Sequence, residues 1–284
     1  MQYHRPDSLG GALTLLRDLG DSGVAIAGGT FFVPHRRELF TDVEAVVDLQ
    51  GLGLDYVTLD GHALRIGATT SLTSLIESGA LDGGPFKVIS ETASQITPLE
   101  LRNRATVGGD LCMSAESDLP TTLLALNAEL VIASDSGSRT LPLEQFYLGY
   151  LHTALQAGEL VTEVRVPLPA SSAGAAFYKF KRRAIDLPVL NAAAQVVLDS
   201  DGRCPSARII LGCAAPTPIR ASSAEQALTG SKCDGEAVIR SSEAAQDIEY
   251  QEDLRASSEV RRTWGRVAVR EVLRKAIERA KGGQ

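Results

Sequence analysis

Two short apolar runs, each ending at a pair of glycines, constrain the fold of this chain more than any other feature. Residues 24–30 read V-A-I-A-G-G-T, and residues 105–111 read A-T-V-G-G-D-L. The first run follows a stretch of helical apolar spacing that begins at Leu9, so it is typical of a buried strand in a β-α-β layout. We predict that both runs are strands that stop at their glycine pairs.

A tight turn at two glycines can bind an anion. Its consecutive backbone N–H groups point into one concavity, glycine tolerates a positive φ there, and no Cβ blocks the ligand. Two such nests brought together could hold both phosphates of a dinucleotide such as FAD. An ordinary tight turn also explains either motif taken alone. Neither motif is a P-loop or the G-x-G-x-x-G sequence of a Rossmann site.

Polar residues beside the glycines favour a nucleotide ligand. Thr30 and Thr106 place hydroxyl groups next to the predicted nests, and Asp118 follows Asp110 by eight residues. A carboxylate near a phosphate nest suits a ribose diol, because it can accept hydrogen bonds from two hydroxyl groups. Asp118 is equally well explained as the N-cap of a helix that begins before Pro120.

Composition and charge exclude several other classes of protein. The 284 residues carry a formal net charge of −7, which argues against a nucleic-acid partner. The four cysteines show no C-x-x-C spacing, so we expect reduced thiols rather than metal or iron–sulfur ligands. The N-terminus has no signal-peptide core, and no apolar run reaches the roughly 18 residues of a membrane span. We therefore expect a cytoplasmic protein without a membrane span.

The pattern along the chain predicts two domains. Residues 169–176 read P-A-S-S-A-G-A-A, which is typical of a linker. Three strand candidates follow it and are spaced as an antiparallel meander. Residues 230–259 are polar, so we expect an exposed loop with short helical pieces or partial disorder. Apolar residues from Val269 to Ile277 recur at helical spacing and predict a C-terminal helix.

Six short motifs occur in a fixed order and together resemble one protein family. They are A-G-G-T-x-x-x-P, I-G-A-T-T, L-R-N-R-A-T-V-G-G-D-L-C, S-D-L-P-T-T-L-L-A-L-N-A, E-L-V-T-E-V-R-V-P and F-Y-K-F-K-R-R-A. The sequence is similar, from about residue 3 to its end, to the FAD-binding medium subunit of molybdenum hydroxylases. This is the group of xanthine dehydrogenase and aerobic carbon monoxide dehydrogenase.

The resemblance implies an α+β fold with two domains. Residues 1–169 would form a FAD-binding domain of the vanillyl-alcohol-oxidase (PCMH) type, with subdomains at about 1–53 and 54–169. Residues 176–284 would form a smaller domain of the carbon monoxide dehydrogenase flavoprotein type. That smaller domain would contain a three-stranded antiparallel sheet and helices.

The resemblance also implies which residues bind the cofactor. A first loop would hold the pyrophosphate together with a second loop, an aspartate would bind ribose, and a backbone segment would meet the isoalloxazine ring. A lysine would lie near the ring edge, although its stretch 179–183 is also explained as a solvated strand or a subunit contact. The first loop is Ala27, Gly28, Gly29, Thr30 and Phe31, and the second loop is Thr106, Val107, Gly108, Gly109 and Asp110. The ribose-binding aspartate is Asp118, the backbone segment at the ring is Leu160 and Val161, and the lysine is Lys179.

Two departures from the family pattern concern the second loop. The family more often has Asn where this chain has Asp110, and a carboxylate there would repel a pyrophosphate unless it turned away. The stretch from Asp110 to Asp118 is one residue shorter than usual and lacks a common Pro. Ser114, which would lie at the adenosine end of the site, belongs to this stretch.

The resemblance implies electron transfer rather than substrate chemistry in this chain. FAD would be bound non-covalently, although His35 lies close enough to the first loop for a covalent link to be conceivable. The partners would be a small subunit with [2Fe-2S] clusters and a large subunit with a molybdenum cofactor, as a dimer of heterotrimers. The external acceptor would be NAD, a quinone or oxygen. We expect no catalytic side chain and no metal site in this chain. A stand-alone FAD oxidase or reductase and a flavin-free scaffold remain alternatives.

Overall fold

The computed structural model describes residues 1–112 and 117–282. The predicted Ser114 lies outside the described residues. The helices are α1 (Leu9–Leu19), α2 (Phe32–Leu39), α3 (Leu72–Ile76), α4 (Lys87–Ser94), α5 (Leu99–Arg102), α6 (Val107–Cys112), α7 (Leu119–Ala125), α8 (Ser222–Leu228), α9 (Gly235–Ala244) and α10 (Ser258–Gly282). The strands are β1 (Gln2–His4), β2 (Gly23–Ile26), β3 (Ala45–Asp48), β4 (Val57–Leu59), β5 (Ala63–Gly67), β6 (Glu129–Ser134), β7 (Gly137–Pro142), β8 (Tyr147–Gly149), β9 (His152–Thr153), β10 (Leu160–Pro167), β11 (Ala173–Phe180), β12 (Leu190–Val197), β13 (Ser206–Gly212) and β14 (Ile219–Arg220).

A small parallel sheet forms the N-terminal part, with the strand order β1-β3-β2. Helix α1 begins where the sequence predicts, and the Ser8 side chain caps it by accepting a hydrogen bond from the Gly11 N–H. The buried face of α1 packs against Val47 of β3. This arrangement confirms β2 as a strand, although its residues are half-buried rather than buried, and directs its C-terminal end toward the loop at residues 27–31.

A five-stranded antiparallel sheet forms the centre of the molecule, with the order β4-β5-β10-β6-β7. The turn residues Asp60-Gly61 between two apolar runs predict a β-hairpin, and β4 and β5 form it, pairing from Val57–Ile66 to Leu59–Leu64. Apolar residues of α3, α4, α6 and α7 share one buried cluster with β5, β6 and β10. This central core therefore fixes the position of α6 and α7, which carry the second glycine motif and Asp118.

The C-terminal part is an antiparallel sheet covered by the long helix α10. The meander of three long strands is confirmed as β11, β12 and β13, and a two-residue edge strand, β14, extends it to the order β11-β12-β13-β14. Strand β11 begins at Ala173, inside the stretch predicted as a linker. Helix α10 lies so close to β11 that a Cβ on Gly174 would overlap the Ala276 carbonyl oxygen.

Residues 230–259 contain the expected short helical piece, although one face of it is buried rather than exposed. Helix α9 occupies Gly235–Ala244, and the Asp234 side chain caps it by accepting from the Ala237 N–H. Its buried face is built largely from small residues, and the Ser241 hydroxyl donates to the carbonyl of Ala224. The polar serines on this buried face are the reason that the sequence predicts an exposed stretch here.

Polar contacts join the C-terminal sheet to the helices of the central core. The Thr121 hydroxyl donates to Oδ1 of Asn191 at 2.8 Å, and both residues are fully buried. The guanidinium of Arg279 on α10 pairs with Glu91 on α4 at 2.7 Å. These contacts hold β12 against α7 and α10 against α4. No helix within the described residues is both long enough and apolar enough to cross a membrane.

Candidate functional site

The first glycine loop leaves β2 and enters α2 as a tight bend. Gly29 has a φ of +70°, a conformation that favours glycine, and Phe31 precedes the first turn of α2. Among the described residues, the backbone N–H groups of Gly29, Thr30 and Phe31 donate to no carbonyl group. Three successive free N–H groups at the start of a helix form a site suited to an anion.

Side chains outside the motif hold this first loop in place. The Gln50 amide donates to the Ala27 carbonyl at 3.0 Å, and the Leu49 N–H donates to the Ile26 carbonyl at 2.8 Å. His35 donates from Nδ1 to the Phe31 carbonyl at 2.9 Å, and its ring stacks on Phe31 with centroids 4.2 Å apart. The loop is therefore fixed from both ends, by the chain after β3 and by the first turn of α2.

The second glycine motif differs from the prediction. It does not end a strand, because Gly108 and Gly109 lie in the first turns of helix α6. The Thr106 hydroxyl accepts from the Gly109 N–H at 3.2 Å, in the manner of a helix N-cap. A short apolar run followed by glycines resembles a strand end in sequence, but here a threonine cap starts a helix inside it.

The N–H groups of the second motif are largely used within the protein. Val107 donates to the carbonyl of Thr70 at 2.9 Å, and Gly108 donates to the carbonyl of Ala68 at 2.8 Å. A Cβ on Gly108 would lie only 2.8 Å from the Cβ and the carbonyl oxygen of Ala68. The glycine here permits close packing against the I-G-A-T-T segment. The free anion-binding N–H groups are thus those of the first loop.

The two glycine motifs lie against each other, although eighty residues separate them in the sequence. A Cβ on Gly28 would overlap the carbonyl oxygen of Arg104 and would lie 3.1 Å from the Cα of Ala105. The chain then runs directly from Ala105 through Thr106 into α6. The predicted approach of the two motifs is therefore confirmed, with Gly28 serving backbone contact rather than a positive φ.

A buried polar network begins at the first turn of α6. The Ser117 hydroxyl donates to Oδ2 of Asp110 at 2.5 Å, and the next residue, Asp118, is 1% exposed. The Lys179 ammonium lies 2.6 Å from Oδ2 of Asp118, and the Asn191 amide donates to Oδ1 at 2.8 Å. The network joins α6 and α7 to β11 and β12.

This geometry decides between the alternatives left open for Asp118 and Lys179. Asp118 occupies the predicted N-cap position of α7, but its side chain forms no capping hydrogen bond, so capping does not explain the buried carboxylate. The Lys179 side chain is 3% exposed and paired, so a solvated position is wrong for this residue. A buried carboxylate needs such partners, because an unpaired charge away from water is strongly unfavourable.

Burial shifts the protonation of both carboxyl groups. Burial raises the pKa of Asp110 to about 7, and the negative charge of Asp118 raises it further. The hydrogen bond from the Ser117 hydroxyl and the positive charge of Lys179 act in the opposite direction. Burial also raises the pKa of the Asp118 carboxyl, against the Lys179 ammonium and the Asn191 amide. Asp110 therefore carries little charge in slightly acidic solution, which removes much of the repulsion expected toward a pyrophosphate.

Leu160 and Val161 lie at the start of β10, beside the second motif. Both residues are 5% exposed, and their side chains belong to apolar cores. The strand pairing with β6 shifts between Val161 and Glu163, and the carbonyl of Thr162 accepts from the Ala68 N–H at 3.0 Å. This segment can therefore offer only backbone atoms to a ligand.

Sequence reasoning missed several residues of this site. Ser117 adjoins Asp118 in the S-D-L-P motif and could have been included on that ground. Gln50 and Asn191 carried no signal, because each reaches the site from another strand or loop. The surface grooves of 650 Å³ and 420 Å³ lie in the C-terminal part and contain none of the predicted residues. Within residues 1–112 and 117–282, no three His, Cys, Asp or Glu side chains are grouped to hold a metal.

Free N–H groups at the first loop, beside a backbone that approaches closely and a buried carboxylate–ammonium pair, suit a protein that binds an anionic cofactor. Residues 1–169 match the family model of the FAD binding domain in molybdopterin dehydrogenase. Residues 175–276 match the CO dehydrogenase flavoprotein C-terminal domain. The chain therefore belongs to the family of FAD-binding medium subunits of molybdenum hydroxylase complexes.

Curated relatives and a solved structure are similar over nearly the whole chain. The 6-hydroxypseudooxynicotine dehydrogenase complex subunit alpha of Paenarthrobacter nicotinovorans is 34% identical, covering 98% of this chain and 95% of that protein. The carbon monoxide dehydrogenase medium chain of Afipia carboxidovorans is 33% identical, covering 98% and 96%. A carbon monoxide dehydrogenase structure from Hydrogenophaga pseudoflava superposes with a TM-score of 0.93 at 33% identity, covering 98% of each chain. An oxidoreductase subunit that binds FAD and transfers electrons fits this family.

Proposed function

We propose that this chain is the electron-transfer flavoprotein subunit of a heterotrimeric molybdenum hydroxylase, and that its FAD lies across the two glycine motifs and the Asp118–Lys179 pair. The contact between Gly28 and the backbone of Arg104 and Ala105 carries this assignment. Because of that contact, one extended ligand can touch the first loop, α6 and the buried pair together.

Each group in the site has a role toward a bound dinucleotide. The N–H groups of Gly29, Thr30 and Phe31 would donate to the diphosphate, with Ala27 and Gly28 holding the loop. Thr106, Val107, Gly108 and Gly109 would form a close-packed wall beside it, and Leu160 and Val161 would present backbone atoms to the ring. Asp118 keeps free lone pairs beside its two bonds and can still accept from a sugar hydroxyl.

The pairing of Lys179 with Asp118 indicates which part of FAD these two residues contact. A lysine at the ring edge and an aspartate on the adenosine ribose would lie at opposite ends of an extended FAD. The ribityl chain, in contrast, is attached directly to the isoalloxazine ring. Asp118 therefore binds the ribityl hydroxyl groups in our proposal, and Lys179 holds that carboxylate in place.

Bound flavin supplies the conversion between one-electron transfer and two-electron transfer. The one-electron donor would be a small subunit with [2Fe-2S] clusters, itself served by a large subunit with a molybdenum cofactor. We propose no catalytic acid, base or nucleophile for this chain. The complex would be a cytoplasmic dimer of heterotrimers with an external acceptor such as NAD, a quinone or oxygen. The family match supports this assembly, and so do the relatives that are subunits of enzyme complexes.

Purification of the chain alone and with its co-expressed partner subunits tests this function. We expect a yellow protein that contains one FAD per chain and oxidises no substrate alone. We expect flavin bleaching by a substrate of the complex only when the partners are present. A colourless chain that refuses added FAD would support a scaffold instead, and turnover without partners would support a stand-alone oxidase or reductase.

A further inference from the structure

Arg104 touches the first glycine loop with its backbone and leaves its side chain in solvent. A Cβ on Gly28 would overlap the Arg104 carbonyl oxygen and would lie 2.6 Å from the carbonyl carbon. The Arg104 side chain is exposed, and among the described residues it has no ion pair and no hydrogen-bond partner. A free guanidinium therefore starts from the point where the two glycine motifs meet.

Hydrogen bonds on both sides fix the backbone at Arg104. The Ala105 carbonyl accepts from the Leu72 N–H at 2.9 Å. The Thr73 hydroxyl donates to the side-chain oxygen of Asn103 at 2.7 Å. Because its base cannot move, the Arg104 side chain can sample only the space around the contact between the motifs.

The free N–H groups of the first loop lie within reach of this side chain. They begin at Gly29, one residue after Gly28, and successive Cα atoms are only about 3.8 Å apart. The long, flexible stem of an arginine can carry its guanidinium past the contact point. An anion held by the N–H groups of Gly29 and Thr30 would therefore lie close enough to receive a hydrogen bond from Arg104.

The site lacks another free positive charge of this kind in the residues already assigned to it. Residues 27–31 of the first loop offer only backbone dipoles. The Lys179 ammonium is already paired with Asp118 at 2.6 Å. The whole chain carries a formal net charge of −7, which opposes the approach of a diphosphate. A guanidinium offers a planar set of donors that matches phosphate oxygens and supplies the missing charge.

We propose that Arg104 is a further cofactor-binding residue, whose guanidinium pairs with the diphosphate of FAD bound at the first loop. This inference rests on the proposed function, because it needs FAD at the free N–H groups. The backbone contact with Gly28, the exposed unpaired side chain and the short distance to Gly29 carry it together. Arg104 thus contributes its carbonyl to the packing of the motifs and its side chain to the ligand.

The substitution Arg104→Gln removes the charge and tests the proposal in the full-length chain. FAD is removed from the purified protein, and its affinity is measured by flavin fluorescence at about 50 mM and about 500 mM sodium chloride. We expect the low-salt affinity to fall by about three- to thirtyfold, between the weight of an exposed ion pair and that of a charged hydrogen bond. The loss should shrink at high salt, because salt screens charge. Arg104→Lys should retain most of the low-salt affinity.

Arg266→Gln is the matched control, because Arg266 is an exposed arginine on α10. It should leave FAD affinity unchanged at both salt concentrations. Wild-type affinity in Arg104→Gln at low salt would overturn the proposal and leave the proposed function intact. An equal, salt-independent loss in Arg104→Gln and Arg104→Lys would also overturn it, because the charge would then have no role. A wild-type chain that binds no FAD would overturn the proposed function itself, so the failures are distinguishable.

Discussion

The carbonyl oxygen of Arg104 occupies the space that a side chain on Gly28 would need. The obstacle is backbone, so it cannot rotate away as the end of a flexible side chain can. This contact joins the first loop to the segment that leads into α6. The relative position of the two glycine motifs therefore depends on the absence of a single methyl group.

The substitution Gly28→Ala should separate the two motifs. Because the new Cβ would overlap the Arg104 carbonyl, one of the two segments must move. We expect FAD affinity to fall by at least about a hundredfold, which corresponds to about 2.7 kcal/mol. Calorimetric titration of the apo protein with FAD measures the loss.

Gly10→Ala is the control for this substitution. Gly10 lies in helix α1, is exposed, and has no atom within 4 Å of an added Cβ. Alanine there should stabilise the protein by about 0.5–1 kcal/mol, because glycine is a poor helix former. Normal FAD binding by Gly28→Ala would contradict the role assigned to the contact.

Local patterns predicted the elements that surround the site better than the site itself. The helix from Leu9, the strand before Gly28 and the hairpin of β4 and β5 follow from apolar spacing and turn residues. The second motif was predicted as a strand, since nothing in its sequence distinguishes a threonine-capped helix from a strand end. Capping depends on the orientation of the Thr106 hydroxyl, which the local amino-acid sequence does not determine.

Long-range partners of the site residues were beyond sequence reasoning for a different reason. Asp118 was singled out from its spacing, yet its partners Lys179 and Asn191 are more than sixty residues away. Their approach depends on the packing of β11 and β12 against α7. The family resemblance indicated Lys179 and Asp118 separately, and only the fold reveals that they form one pair.

Asp110 should make FAD binding dependent on pH. Its folded-state pKa of about 7 lies above its usual 3.8, so the group is mostly neutral below pH 7 and charged above it. A negative charge beside a diphosphate is repulsive. We expect FAD affinity to fall by about two- to tenfold from about pH 6 to about pH 8. Fluorescence titrations at several pH values measure this.

The substitution Asp110→Asn keeps the shape of the side chain and removes its titration. Its FAD affinity should be flat over the same range and should exceed that of the wild type at the alkaline end. The free energy of unfolding of the apo wild type should also fall as the pH rises from about 4 to about 7. Over this range the Asp110 carboxyl is ionised in the unfolded chain but still holds its proton in the folded chain, which favours unfolding. A pH profile that Asp110→Asn leaves unchanged would assign the effect to another group.

Lys179 and Asp118 should stabilise the protein only when both are present. The side chains are 3% and 1% exposed, so removal of one partner leaves the other charge buried. Lys179→Met should therefore reduce the free energy of unfolding by about 3–5 kcal/mol. Urea unfolding of the apo protein measures the change.

A double variant separates the pair from the cofactor role of Asp118. Lys179→Met combined with Asp118→Asn removes both charges of the pair, so it should be more stable than Lys179→Met alone. It should still bind FAD poorly, because the carboxylate that accepts from the sugar hydroxyl groups is lost. Additive losses of stability would show that the two residues do not interact as described.

Arg261 should be the residue whose loss most weakens the C-terminal part of the molecule. It is fully buried on α10 and donates to the carbonyls of Val189, Gln251 and Ala256 at 3.0–3.2 Å. It also pairs with Asp253 at 2.7 Å. One guanidinium thus joins α10 to the residue before β12 and to the loop that leads into α10. Arg261→Met would leave these buried acceptors without a donor, so we expect a loss of about 3–5 kcal/mol.

The neighbouring Arg262 provides the control, because it is exposed on the same helix. Arg262→Met should change the free energy of unfolding by less than about 0.5 kcal/mol.

Burial opposes ionisation of Asp253, but the Arg255 and Arg261 guanidiniums hold the pKa of that carboxyl below its usual range. Its contribution to stability is therefore present above about pH 4 and lost as the pH falls further. In Arg261→Met, the free energy of unfolding should fall less below about pH 4 than it does in the wild type. An equal fall in the two proteins would contradict the role of the Arg261–Asp253 pair.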